Sequence, residues 1–270
     1  MWTRVYYRCV PDLGIGWSTE LAVLTLSGSR VEDHGDHLVV RTPANPTYHW
    51  GNCILVTDPA GADDAGHWLH AFETTFPSAN WVAIGLPRMP TDSSVWTARE
   101  LSLEPEAVLV SLTPPSQSVP PHGYTVRRLN GTDWEQHLVL DAAENEWAWD
   151  SEAGAYTSFA RARNESRRAM GVGDIAAYFG AFADGSLAAS LGIVRCGTTG
   201  RYQDVLTATS HRRRGLASHL LGVAARWAGS HGCDRWVVVT EATNPAGRVY
   251  ERAGLEPHST RVSAYRRDAT

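Results

Sequence analysis

Residues 209–227 read TSHRRRGLASHLLGVAARW, and within them Arg212-Arg213-Arg214-Gly215-Leu216-Ala217 make a basic turn holding one glycine. Ahead of the turn, Val205 and Thr207 alternate with Leu206 and Ala208, the period of a strand. Behind it, Leu216, Leu220, Leu221, Ala224 and Trp227 recur at three- and four-residue steps, the period of a helix with one buried face. A turn that leaves a strand and opens a helix presents N–H groups with no intrahelical partner and the positive end of the helix dipole, and glycine lets a ligand approach the backbone. That is the chemistry of a phosphate cradle. The alternative is an arginine run that is merely solvated at a helix start.

Two other groupings could do chemistry. Trp147, Trp149 and Tyr156 stand among Glu144, Glu146, Asp150 and Glu152, a combination that holds a cationic amine through charge and aromatic faces. An acidic solvated helix with its aromatics buried would read the same way. His67 and His70 fall on one face of a helix, but no third ligand lies nearby, so they are expected at the surface or in an interface, with no metal.

The chain around these groups is 270 residues long and 43% hydrophobic, enough for one large or two ordinary domains with a full core. Its formal net charge of −5 argues against nucleic-acid binding, since phosphate backbones are held by basic surface. Cys9, Cys53, Cys196 and Cys233 show no CxxC spacing and follow no charged-then-apolar leader, so a cytoplasmic protein with reduced thiols is expected. No run approaches the roughly 18 apolar residues of a membrane span.

The segment 113–123, TPPSQSVPPHG, carries four of the fourteen prolines and reads as a linker between a first half, 1–112, and a second, 124–270. The first half opens on the apolar run Leu21–Leu24. It continues with strands at His37–Arg41 and Cys53–Val56, a helix from Gly66 to Phe76 with Trp68, Phe72 and Phe76 at four-residue steps, and a strand at Trp81–Gly85. That order repeats the second half in outline. The second half begins with a strand at Tyr124–Leu129 and a helix from about Thr132, where Thr132 and Glu135 have capping-box spacing. A helix over Ala155–Met170 follows, then a hairpin of Ile175–Phe182 and Leu187–Val194 turning at Ala183-Asp184-Gly185. Beyond the cradle helix, Arg235–Thr240 reads as a strand covered on both faces. Asn244 with Pro245 would open a last short helix that Gly254 ends.

The Arg-x-x-Gly-x-Ala turn and the ending Asn244-Pro245-Ala246-Gly247-Arg248-Val249-Tyr250-Glu251-Arg252-Ala253-Gly254-Leu255 together resemble the GNAT N-acetyltransferase superfamily. Its motifs are Gln/Arg-x-x-Gly-x-Gly/Ala and Asn-x-x-Ala-x-x-x-Tyr-x-x-x-Gly-Phe. Ala246, Tyr250 and Gly254 are in register, Leu255 replaces Phe, and Thr243 stands where the family has Asn. The resemblance implies an α/β (α+β) chain of two GNAT-like mixed-sheet halves with helices on both faces, the second a complete acyl-CoA N-acyltransferase fold. The first half would be a degenerate copy, because the place taken as comparable, Asn45–Asn52, has no such turn; the stretch 17–56 resembles bacterial tandem GNAT proteins. An unrelated α+β domain is the other reading.

The resemblance further implies acetyl-CoA as co-substrate. Leu206 and Thr207 would offer backbone to its pantetheine arm, and the N–H groups of Arg213, Arg214, Gly215, Leu216 and Ala217 would face its pyrophosphate. Arg212 would add charge, and Asn244 would contact the arm. Tyr250 matches the family tyrosine that protonates the CoA thiolate, a task suited to a phenol whose reference pKa is about 10. A base for the amine could be Glu241, Asp204 or solvent. Trp147, Trp149 and Tyr156 would meet the acceptor, a small-molecule or peptide amine. A monomer or homodimer is expected, and the alternative function is a non-catalytic acyl-CoA-binding or regulatory module.

Overall fold

The computed structural model describes residues 13–145 and 154–267. In chain order its strands are β1 (Arg30–Asp33), β2 (His37–Arg41), β3 (Cys53–Val56), β4 (Val82–Leu86), β5 (Ser102–Ser111), β6 (Thr125–Arg128), β7 (Ala176–Ala183), β8 (Ser186–Cys196), β9 (Thr199–Thr207), β10 (Arg235–Glu241) and β11 (Glu256–Arg266). Seven α-helices occur among the described residues: α1 (Gly14–Leu26), α2 (Ala65–Thr75), α3 (Ser94–Thr97), α4 (Asp133–Glu144), α5 (Ala155–Val172), α6 (Leu216–Ser230) and α7 (Gly247–Arg252). All eleven strands join one mixed sheet in the order β1-β2-β3-β4-β11-β5-β10-β9-β8-β7-β6.

The two halves repeat one plan. In each, a parallel strand pair is joined by a crossover helix, β3-α2-β4 in the first and β9-α6-β10 in the second. A short helix and a long strand then follow, α3-β5 and α7-β11. Neither long strand stays with its own half. β5 lies between β10 and β11, and β11 lies between β4 and β5, so each half completes the other's sheet. Residues 113–123 therefore connect the halves in sequence, while the strands on either side interleave in space. The proline-rich stretch is itself packed down: a methyl group on Gly222 of α6 would come within 2.4 Å of Gln117 Cα, and His219 Nδ1 lies 2.7 Å from the Ser118 carbonyl oxygen.

Several expected elements change. Leu21–Leu24 belongs to α1, where Trp17, Leu21 and Leu24 recur at helical steps and are buried against the first half's sheet. The place equivalent to the cradle is 57–64, between β3 and α2, rather than Asn45–Asn52, which lies between β2 and β3. The Thr132 side chain makes no cap bond; Asp133 accepts from the Asn130 N–H instead, and Glu135 pairs with Arg161. The short helix starts at Gly247, and the Asn244 Oδ1 accepts from the Ala246 N–H just ahead of it, 2.9 Å away. The hairpin at Asp184-Gly185 has positive φ at both residues, as a tight turn between twisted strands requires.

Sheet alternation divides the core into two faces. Tyr202, Trp236 and Val238 pack with Leu216, Leu220 and Leu221 of α6 on one face. On the other, α1 crosses the middle of the sheet and ties it with buried charge. Glu20 Oε2 accepts from Arg201 at 3.0 Å and from Arg261 at 3.3 Å, and Arg261 also clasps Glu106 at 2.8 and 2.9 Å while lying 4.2 Å over the Trp17 ring. Burial alone would raise the Glu20 pKa, but the two guanidiniums outweigh it and hold the carboxyl below its ordinary value. Four of these side chains come from α1, β5, β9 and β11, so the cluster fastens both halves.

A second buried network joins α4, α5 and β9. Arg167 pairs with Asp204 and donates to Asn164 Oδ1, Arg163 donates to Asp141 at 2.5 Å, and His137 lies beside Asn164, fully buried. Burial, helped by Arg167 and Arg163 and opposed by Asp204 and Asp141, pushes the His137 pKa down to about 4.

Two outcomes follow from these networks. Taking away one member of a buried ion pair costs roughly 3–5 kcal/mol. Glu20→Ala should lower the urea midpoint accordingly, in one transition seen alike by tryptophan fluorescence and far-UV circular dichroism. Separate transitions for the halves would show that the shared sheet does not couple them. For His137 the folded pKa is depressed, so its contribution to stability is full above the unfolded value near 6.5 and is lost as pH falls through about 4. The loss amounts to at most about 3 kcal/mol, and His137→Gln should flatten the stability profile between pH 6.5 and 4 measured by urea denaturation.

Candidate functional site

β9 and β10 run parallel through only three pairs, Thr199 with Arg235, Gly200 with Trp236 and Arg201 with Val237. Each strand then goes on with its outer neighbour, β9 along β8 as far as Thr207 opposite Ala189, and β10 along β5 as far as Glu241 opposite Glu106. Between them a cleft opens in the middle of the sheet, with one unpaired edge of backbone on each side. A bulge marks the departure of β9. Between the pairs Gln203–Gly192 and Leu206–Ser190, β9 uses one residue more than β8, and Asp204 takes a φ of +48°. Bulges bend a strand and sharpen its twist, and the Arg167–Asp204 ion pair pins this one to α5.

Leu206 and Thr207 lie on this cleft-side strand, and the cradle turn follows them. Thr209–His211 form a single 3-10 turn held by the Tyr124 hydroxyl, 2.7 Å from His211 Nδ1. Arg213 and Gly215 have φ of 64° and 79°, which folds the turn back so that α6 starts at Leu216. Among the described residues no acceptor takes the backbone N–H of Arg213, Arg214, Gly215, Leu216 or Ala217. Five donors thus stand in a row at a helix N-terminus, the arrangement an anion site requires.

Arg212 is already engaged. Its Nη2 donates to Glu144 at 2.6 Å and its Nε to the Thr207 carbonyl at 3.3 Å. Glu144, at the end of α4, also accepts from the N–H and hydroxyl of Thr209 at 2.7 and 2.8 Å. Burial would raise its pKa, but these hydrogen bonds and the Arg212 charge hold it lower than usual. Glu144, read from sequence as part of an acidic aromatic stretch, instead fastens the cradle turn to α4. Arg214 reaches the Ser210 carbonyl, and Arg213 is exposed.

The corresponding turn of the first half shows the opposite chemistry. There Asp64 accepts from the His67 N–H at 3.0 Å, Asp58 from the Ala60 N–H at 2.9 Å, and Asp63 binds Arg88 and Thr91. Its helix start is capped by the protein's own Asp64.

The proton-transfer candidates separate by environment. Glu241 is exposed at the cleft end of β10, on the same sheet face as its cross-strand neighbour Glu106. Asp204 sits under two guanidiniums; burial would raise its pKa, but Arg167 and Arg163 hold it below the ordinary value, which suits a clamp better than a proton acceptor. Tyr250 on α7 is buried with Val238 and Leu109, and burial pushes its phenol up to about 12. It stays protonated across the neutral range. Tyr156 is buried between α4 and α5, its hydroxyl donating to Asp141 at 2.9 Å and accepting from Asn145 at 2.7 Å. Trp147 and Trp149 lie outside the described residues. No described helix is long and apolar enough to cross a membrane.

Residues 133–255 match the family model of the acetyltransferase (GNAT) family. No curated protein matches the chain. Among solved structures, a functionally unknown conserved protein of Staphylococcus epidermidis superposes with a TM-score of 0.69 at 12% identity, covering 90% of this chain and 95% of that one. A GCN5-related N-acetyltransferase of Kribbella flavida gives 0.61 at 18% identity over 93% and 96% of the two chains. A tandem GNAT protein from the clavulanic acid biosynthesis pathway gives 0.55 at 15% identity over 92% and 88%. These likenesses extend the fold over both halves. The second half thus carries, at residues 133–255, a domain of the acetyltransferase (GNAT) family.

Proposed function

We propose that the second half transfers an acetyl group from acetyl-CoA to a primary amine of a small molecule or peptide, while the first half is a copy that has lost its acyl-CoA site. The observation that carries this reading is the cleft between β9 and β10, which opens beside five unpaired N–H donors. An extended arm bearing amides can pair with the free edge at Leu206 and Thr207, as a strand would. The pyrophosphate then falls to the turn Arg213–Ala217, with Arg213 free to add charge and Arg212 holding the turn in shape. Asn244 marks the start of the segment that closes the far side of the arm.

Attack needs a neutral amine, and Glu241 is the acceptor for its proton, directly or through water. The tetrahedral centre collapses by expelling the thiolate, which takes the Tyr250 proton. Because the Tyr250 pKa is raised, this donor is intact below about pH 12 and sets no alkaline limit at physiological pH. The acidic turn of the first half, with Asp58, Asp63 and Asp64, would repel a pyrophosphate.

Acetyl-CoA should raise the melting temperature of the protein, because a ligand that binds only the native state stabilises it by mass action. Gly215→Glu should abolish the shift. With an amine library, thiol release should fall by roughly 10²-fold or more in Tyr250→Phe with the KM for acetyl-CoA little changed. Binding without turnover, unaffected by Tyr250→Phe or Glu241→Gln, would instead identify an acyl-CoA-binding module.

A further inference from the structure

A cavity of about 40 Å³ lies between the two halves, on the sheet face covered by α1. Its walls come from the C-terminal end of α1, the loop after β2, α5, and β9 at Gln203. On the same measure a water needs roughly 10–15 Å³, so the space suits a few waters or one group of carboxylate size, and no whole metabolite.

The charges around it are one-sided. Arg163 and Arg167 are the only ionised side chains in its lining; Asp141 and Asp204, which pair with them, are not part of it. The remaining polar lining is neutral, including Ser29, Thr42, Asn45 and Gln203. Arg163 keeps an unspent donor, since its Nε is buried and meets no acceptor among the described residues. Buried donors of this kind call for an explanation, and an anion beside Arg163 supplies one. Gln203 fixes the position relative to the chemistry. It is the second residue of β9 past the last pair with β10, and it shares the sheet face of Arg201 and of the Glu241–Glu106 pair across the cleft.

We infer that this cavity receives the carboxylate of the acceptor, which makes the acceptor an amino acid or a close amino-carboxylate. The inference rests on the acetyl-transfer reading above. The carboxylate enters between the halves toward Arg163, and the amino group of the same molecule is left on the open face, toward the cleft and Glu241. The first half thereby contributes Ser29, Thr42 and Asn45 to recognition without binding acyl-CoA itself.

The test compares the L-amino acids with their decarboxylated amines and their amides, by thiol release from acetyl-CoA and by binding of each compound alone in ligand-observed NMR. For any side chain that is turned over, the carboxylate form should be preferred by about ten- to a hundredfold in kcat/KM, the scale of a hydrogen bond to a charged group. Arg163→Gln should erase that preference through KM, and Ser166→Asp should do so with the thermal shift with acetyl-CoA intact. Because Arg163→Gln leaves Asp141 without its partner, Ser166→Asp serves as a second variant. Ser166 is half-buried in the cavity wall and bonds only within α5, and a carboxylate there should displace the ligand's own. Rates on the amines and amides equal to those on the amino acids, in a protein that binds and consumes acetyl-CoA, overturn the carboxylate site alone. Absence of any acetyl-CoA shift or turnover overturns the acetyl-transfer reading, and the NMR comparison still decides the site: binding of amino acids lost in Ser166→Asp upholds it, and no binding, with water alone in the cavity, refutes it.

Discussion

A strand inside a sheet must satisfy its N–H and C=O groups on both edges, and β9 and β10 break that rule for each other after Arg201 and Val237. The break is possible only because each has a strong partner on its outer side, β8 for one and β5 for the other. The outward pull depends in turn on the bulge at Asp204, on the guanidiniums that hold it, and on a strand lent by the other half. The cradle, the helix behind it and the proton-transfer groups all take their places from this opening. An unpaired edge in a sheet interior is a template for an extended chain, and here it ends in a row of unpaired N–H donors.

Much of the second half was legible because local signals agreed. Arg212–Ala217 combined a strand period, a glycine turn and a helix period, and Asp184-Gly185 had the composition of a hairpin turn. What could not be read was set by pairing between distant segments. Near its start β5 carries Glu104, Pro105 and Glu106, residues that look like a loop until β11 pairs with them and Arg261 and Ser263 bind Glu106. Leu21–Leu24 has the composition of either a strand or a helix, and only its placement across the sheet at helical steps decides. Asp204 looked like an accessible carboxylate because the arginines that bind it lie on α5, and Arg212 looked free because Glu144 reaches it from the end of α4. The linker composition of 113–123 was plain, whereas its contact with Gly222 was not.

The halves also show how one scaffold acquires opposite surface chemistry. Both place a parallel strand, a turn and a helix in the same relation. In one the helix start is left open by backbone geometry, through positive φ at Arg213 and Gly215; in the other it is capped by Asp64, behind a 3-10 turn that Asp58 caps. A helix dipole is a fixed attraction for negative charge. In the first half that charge is built into the chain as Asp64; in the second the start is left open.

The exchanged long strands bear on how the chain is made. A ribosome delivers the N-terminal half first, and domains in a tandem array ordinarily fold as they emerge. This one has no complete sheet to fold into, because the strand beside β4 is β11, which the second half supplies. Until β11 is released, Ile84 and its neighbours on β4 keep a bare apolar edge, and β5 waits for a partner on each side. Assembly of both halves is thus deferred until β11 has been made and is then settled together.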